Sequence, residues 1–399
     1  GKIETWNLNL GDGKNYLRST GQGTLGEEVT VRTESIIDAA ALEIFSDRVK
    51  ESGGRIETES IVSGNVNELT HLTHFKGREI ELRIQDVPGL IGNGIFDIVV
   101  DDEEVLIQKL SMDYGKGAIT ASGNIRFAFP YPIFALNWSI KNATVPILNK
   151  SQLNISGDGE FIGERVPYLL RGNINILHGN IVESLEDFRQ TSGGLESYTK
   201  YIPSKQTLGE ADLVEYDLAV NIARPVVLKN SLAELYLRGD FRIQGASYSP
   251  SFTGGIEVVP EKSMFKFKGH EFILSEGNID FRGPGGDEAP LVNFDGMAQV
   301  NEYKVYLEVS GPADNASVVM TSDPPLGRED ILSLLTLGVT TNVRQELGES
   351  ERQSITTIGV GTLLFEQFKI TEGISSSLGL RLSVTPEVSE NEASLIQGK

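Results

Sequence analysis

Bulky apolar residues recur at every second position through most of the chain, with polar or small residues between them. Phe134, Leu136, Trp138 and Ile140 form the cleanest run. A period of two puts all four on one face of a strand. The same alternation holds in Trp6, Leu8 and Leu10, in Ile80, Leu82 and Ile84, and in Ile125, Phe127 and Phe129. It continues in Leu153 and Ile155, in Ile174 and Ile176, and in Leu218, Val220 and Ile222. From Thr253 the pattern is denser: Ile256 and Val258, Phe265 and Phe267, Phe272 and Leu274, Ile279 and Phe281, Phe294, then Tyr303, Val305, Leu307 and Val309. Lys266, Glu271, Asp280, Lys304 and Glu308 fall between them and are expected to face water. Glycines at 269 and 277 suit turns between short strands.

Two kinds of stretch break this period. Pro324 and Pro325 stop the strands, and GREDILSLLTLG then reads as one short helix from Gly327 to Gly338. Gly327 can act as its N-cap, Glu329 and Asp330 occupy the first turn where the helix dipole favours acids, and Gly338 suits a left-handed C-terminal residue. Ile331, Leu332, Leu334 and Leu335 make this helix too apolar for solvent, so it is expected to cap one end of the sheet. Glu351 to Lys369 carries another helical face, formed by Ile355, Ile358, Thr362 and Phe365, ahead of a final strand pattern at Leu378, Leu380, Leu382 and Val384. In Ser35 to Lys50 the alanines favour helix and the neighbourhood favours strand; the balance falls to helix.

Two segments resemble each other, LLRGNINILHGNIV at 169–182 and LYLRGDFRIQGASY at 235–248. Repetition of this size suggests stacked units that bury a continuous strip. Between them, 183–212 lacks alternation and reads as a loop or partly helical excursion. The expected organisation is a repeating strand segment over 1–182, the excursion over 183–212, a second strand segment over 213–322, a helical cap over 323–370, and the start of terminal strands over 371–399.

Composition narrows the function. The 399 residues have a net charge of −21 and a pI near 4.7, which disfavours nucleic acid and electrostatic docking on anionic lipid. There is no cysteine, hence no disulfide framework and no thiolate metal site. No run of eighteen apolar residues is present, so no segment reads as a membrane-spanning helix. Gly1 begins inside an alternating pattern, and a fragment of a larger protein is expected. Gly21 to Gly26 matches G-x-G-x-x-G, but Val29 to Val31 after it is strand-like, so a turn is the better reading than a dinucleotide site. His71 and His74 could share a helical face as metal ligands, yet no third ligand is near them in the sequence. Asp101 to Glu104 reads as a solvated hairpin tip. His178 and His270 lie in no nucleophile motif, and no constellation supports catalysis or a bound cofactor.

The order G-x-F-x-F-x-G at the start of the dense region, a strand ending GNIDF, the alternation Y-x-V-x-L-x-V-x-G, and SDPPL-x-x-x-DILSLLTLG together resemble the TamB C-terminal domain family. The match is specific over Gly254 to Gly338 and stylistic upstream. Gly327 stands where the family would be expected to place a serine-like cap. The resemblance implies a mainly β, mostly antiparallel trough, a β-taco, with a hydrophobic interior and short helices near its C-terminal end. It further implies a non-enzymatic periplasmic conduit for phospholipid between the inner and outer membranes. The full-length protein would be anchored in the inner membrane through an N-terminal segment missing here, and more strands would follow the C-terminal end. The implied partner is a TamA-like barrel protein of the Omp85 family. The alternating side chains named from Phe127 to Val309, apart from Leu153, Ile155 and Tyr303, would then line the groove. An apolar lane stabilises an acyl chain by about 0.8 kcal/mol per methylene removed from water. A different function, templating of outer-membrane barrel strands along a sheet edge, is compatible with the same pattern.

Overall fold

The computed structural model describes residues 2–182, 213–338 and 340, apart from 25–27, 66, 86, 88, 149–150, 231–232, 248–249, 268, 284–288 and 314. These residues form one hydrogen-bonded sheet of 19 strands, with very little helix. In chain order the first ten strands are β1 (Lys2–Gly11), β2 (Tyr16–Thr24), β3 (Glu28–Asp38), β4 (Val49–Asn65), β5 (Glu68–Ile84), β6 (Ile91–Asp101), β7 (Glu104–Tyr114), β8 (Gly117–Arg126), β9 (Ile133–Leu148) and β10 (Ser151–Gly163). They are followed by β11 (Tyr168–Val182), β12 (Val214–Lys229), β13 (Ala233–Ala246), β14 (Ser251–Val258), β15 (Met264–Phe267), β16 (His270–Arg282), β17 (Leu291–Val300), β18 (Tyr303–Pro312) and β19 (Ser317–Asp323). The two α-helices among the described residues are α1 (Leu42–Phe45) and α2 (Arg328–Leu337).

Several strands are far longer than the short ones expected, with 17 residues in each of β4 and β5. The reason lies in the glycines. Gly77, Gly123, Gly159 and Gly277 stand inside strands rather than between them. Gly277 was expected in a turn, but it sits within β16, where an added Cβ would come within 2.6 Å of Phe294 and Val258. It makes room for its neighbours' side chains. Gly269, with φ +85°, is a turn glycine as expected. Ser35 to Lys50 divides between both readings: β3 runs to Asp38, a 3-10 turn covers Ala39–Ala41, and α1 has only four residues.

The described residues fall into two compact units, 2–179 with 213–224 and 242–250, and 180–182 with 225–241 and 251–340. In the first unit β1 to β10 form an antiparallel meander in which each strand pairs with the next. The step from β11 to β12 is different. The Tyr168 N–H at the start of β11 donates to the Leu213 carbonyl at the start of β12, 2.9 Å away. Two neighbouring strands joined at their starts run parallel, which requires a long crossover connection rather than a hairpin. The expected excursion over 183–212 occupies this connection and lies outside the described residues.

In the second unit β14, β15 and β17 pair with β16, and β17 to β19 continue antiparallel. One face of these strands is closed by α2. Ile331, Leu332, Leu334 and Leu335 pack with Phe267, Phe272, Ala298, Val300, Val305 and Leu307 in a single buried cluster. A helix of ten residues is marginal in isolation, so this packing holds it in place. Gly327 caps it without a side-chain bond, and Gly338 ends it in the left-handed region at φ +73°, its N–H donating to the Leu334 carbonyl. The helix expected to cap an end of the sheet thus packs on a face of these strands. The patterns at 351–369 and 378–384 lie outside the described residues.

Candidate functional site: an apolar face of the sheet

Residues directly opposite one another in an antiparallel ladder share a face. The registers of the first unit therefore trace rows of side chains across the sheet. One row runs Leu10, Leu17, Ser35, Thr58, Phe75, Ile98, Ile107, Gly123, Leu136 and Phe161. Beside it run Leu8, Ser19, Thr33, Ser60, Thr73, Val100, Val105, Ile125, Phe134 and Gly163. A third row is Ile37, Ile56, Gly77, Phe96, Leu110, Ala121, Trp138 and Gly159. None of these side chains is ionisable. Bulges shift the register at several points, yet the rows stay in phase.

The opposite face is charged. There Glu57, Lys76, Asp97 and Lys109 stand opposite one another in alternating sign across β4 to β7. Arg171 pairs with Glu160 at 2.6 Å, and Arg242 makes two hydrogen bonds to Asp217, at 2.6 and 2.8 Å. These bonds hold the Asp217 carboxyl below, and the Arg242 guanidinium above, their ordinary pKa values. The charges thus lie on the face opposite these rows, which also carries the apolar Leu72, Val99 and Leu106.

Large rings lie flat where a glycine stands on the neighbouring strand. The Trp138 indole covers Gly159 and Gly172; a Cβ on either would come within 2.5 and 2.7 Å of its Cζ2. Its Nε1–H is buried with no acceptor among the described residues. Trp6 covers Gly21 and Phe96 covers Gly77 in the same way. Phe134, Phe161 and Tyr168 form an edge-on cluster, with Phe134 at 5.1 Å from Phe161 and 4.7 Å from Tyr168.

Of the residues expected to line a groove, Phe134, Leu136, Trp138 and Ile140 lie together on this face, half-buried. Ile174 and Ile176 keep the parity of Gly172 and so share it. Leu218, Val220 and Ile222 are buried and point away from the charged side marked by Asp217. Phe127 and Phe129 do not belong to the face. β8 ends at Arg126 ahead of Pro130 and Pro132, so both lie in the connection to β9, and Phe129 is fully exposed. In the second unit Phe267, Phe272, Val305 and Leu307 sit under α2 in a sealed core rather than along an open groove. Ile256, Ile279 and Phe281 pack with Val292, Ala313 and Ala316, against half-buried Phe294 and Val309. Val258 and Leu274 pack with Ala233 and Leu235, and Phe265 stacks on Phe272 at 4.9 Å. Sequence reasoning passed over Ser19, Thr33, Ser35, Thr58, Ser60 and Thr73, because hydroxyls do not register as an apolar alternation.

The other motifs resolve simply. His71 and His74 are on β5, where an odd spacing sends them to opposite faces; they pair with Asp102 and Asp97. Asp101 to Glu104 is a hairpin tip, with Asp101 held below its ordinary pKa by the Glu103 and Glu104 backbone N–H groups. Among the described residues no three ligating side chains gather into a metal site, and no helix is long and apolar enough to cross a membrane.

Fold and face together define a β-sheet protein with an apolar surface, three rows of which carry no ionisable side chain, backed by a charged one; His71, paired with Asp102, lies beside those rows on β5. The family model for the TamB C-terminal domain matches residues 108–397, and the chain belongs to that family. The match begins well upstream of the stretch whose motifs carry the resemblance. An uncharacterized protein of Aquifex aeolicus (strain VF5) is 23% identical over 310 residues, covering 74% of this chain and 26% of that relative. The chain thus spans about a quarter of that relative's length.

Proposed function

We propose that this chain is a segment of a bridge-type lipid carrier in the bacterial periplasm, serving outer-membrane biogenesis by carrying phospholipid acyl chains along its apolar face. The observation that supports this most is the absence of any ionisable side chain in three registered rows, two spanning β1 to β10 and one β3 to β10. A bound tail would meet only Phe, Leu, Ile, Val, Trp, Gly, Ala, Ser and Thr, with no buried charge to desolvate. A sixteen-carbon chain half covered by such a surface gains roughly 6 kcal/mol, from about 0.8 kcal/mol per methylene. No fixed hydrogen bond to the tail is needed, so a tail can slide over the alkyl side chains of these rows. Family membership supports the periplasmic setting, an inner-membrane anchor, and an Omp85-family barrel protein as partner. The reading assigns no catalytic residue and no cofactor. Mass spectrometry of the protein purified from bacterial membranes without added lipid tests it. Co-purifying phospholipid is expected; its absence would favour strand templating instead.

A further inference from the structure

We infer that the apolar face contains a polar docking band for the ester and glycerol part of an acyl lipid, laid across β2 to β5. The tails of that lipid would lie over β6 to β10. The inference rests on the lane reading above and sharpens it.

The face changes character sharply between β5 and β6. In β2 to β5 one row holds Ser19, Thr33, Ser60 and Thr73, and the next holds Ser35 and Thr58 between Leu17 and Phe75. From β6 to β10 the same two rows continue as Val100, Val105, Ile125, Phe134 and Gly163, and as Ile98, Ile107, Gly123, Leu136 and Phe161. No hydroxyl remains there.

The band has donors to offer. Ser19 and Thr33 share one hydrogen bond of 3.1 Å, and Ser60 and Thr73 one of 2.9 Å. Two hydroxyls joined by one bond leave one O–H free to donate elsewhere. Ser35 and Thr58 make no side-chain bond among the described residues, which adds two more donors. With no Lys or Arg on these rows, the matching ligand group is a neutral acceptor such as an ester carbonyl rather than an isolated phosphate. The dimensions agree. At about 4.8 Å per strand, β2 to β5 spans ~14 Å and β6 to β10 spans ~19 Å. One leaflet of hydrocarbon is ~15 Å deep.

The test replaces the hydroxyls by near-isosteric apolar groups, Ser19→Ala, Thr33→Val, Ser60→Ala and Thr73→Val together, in the full chain. Binding of a pyrene-tailed phosphatidylcholine should weaken about tenfold, as for the loss of one or two net hydrogen bonds. Binding of a pyrenyl alkane with the same tail should stay equal or tighten. Equal or tighter phosphatidylcholine binding, which a uniformly apolar lane requires, would overturn the band and leave the lane standing. Failure of the unaltered chain to bind either probe would overturn both. A second measurement needs no variant. A photoreactive group near the glycerol should label peptides from 16–84, and one at the tail end should label peptides from 91–163. The same labelling pattern for both positions would refute the crosswise pose.

Discussion

Replacing Gly159 by alanine tests the packing that shapes the apolar face. A Cβ at this position would lie 2.1 Å from the Arg171 carbonyl oxygen and 2.5 Å from Trp138 Cζ2. Ordinary contacts are longer by more than 0.5 Å, so both the neighbouring strand and the indole must move. Overpacking of this kind costs about 1–3 kcal/mol. For a unit of this size, each kcal/mol lowers the melting temperature by roughly 2–4 °C. The ring would lift from the sheet and bring its buried Nε1–H toward water. Trp6 is the second of only two tryptophans, so a Trp6→Phe background isolates the signal. In that background Gly159→Ala should lower the thermal midpoint and shift Trp138 emission to the red. An unchanged midpoint with unchanged emission would show that the indole does not rest on the Gly159 backbone.

Leu335, 1% exposed and packed in the cluster under α2, should cost about 2–5 kcal/mol on replacement by alanine, read from urea midpoints at constant slope. A midpoint unmoved by the change would mean that α2 is not docked. Phe267→Asp places a carboxylate in the same sealed cluster and should destabilise by several kcal/mol or prevent folding. A folded variant of near-native stability would show that core to be open to water. Asp12 accepts from the Asn15 and Lys14 backbone N–H groups, and these hold its pKa at about 2. Its folded pKa lies below the unfolded one, so its contribution is present above the ordinary value of 3.8 and is lost as pH falls toward 2. A carboxyl 13C titration of Asp12 with a midpoint near 3.8 would contradict this.

Alternation identified the apolar face where its side chains are bulky, as on β9, because the period of two survives without knowledge of the neighbours. It could not identify β2 to β5, where Thr33 and Ser60 become part of the face only through their register. Nor could it separate Phe267 from Leu136: both sit in good strand patterns, and only the helix packed on Phe267 distinguishes a sealed core from an accessible surface. Phe127 and Phe129 extended the period of Ile125 in the text, but Pro130 and Pro132 end the ladder. The repeated Arg-Gly of 169–182 and 235–248 did carry structure. Arg171 and Arg238 each reach a glutamate on an adjacent strand, Glu160 and Glu257. The glycine after each lets a neighbouring backbone come close, so that a Cβ on Gly172 would lie 2.4 Å from the Asp158 carbonyl oxygen and one on Gly239 2.2 Å from that of Gly255. Gly277 reads as a turn residue in the sequence because glycine permits both a turn and a close approach, and sequence alone does not say which neighbour approaches.

The central claim is that the apolar face of β1 to β10 holds acyl chains. Leu136 lies on β9 in the row between those of Phe134 and Trp138, half-buried, and Asn137 beside it points to the opposite side. A carboxylate at 136 can reach water, so the fold should survive, but a tail crossing that row would meet a charge. The decisive measurement is phospholipid retained per chain, quantified by mass spectrometry, on Leu136→Asp and on the control Asn137→Asp, with circular dichroism to establish folding. The control should keep the lipid of the unaltered protein and Leu136→Asp should lose most of it. Full lipid on a folded Leu136→Asp variant would contradict the account.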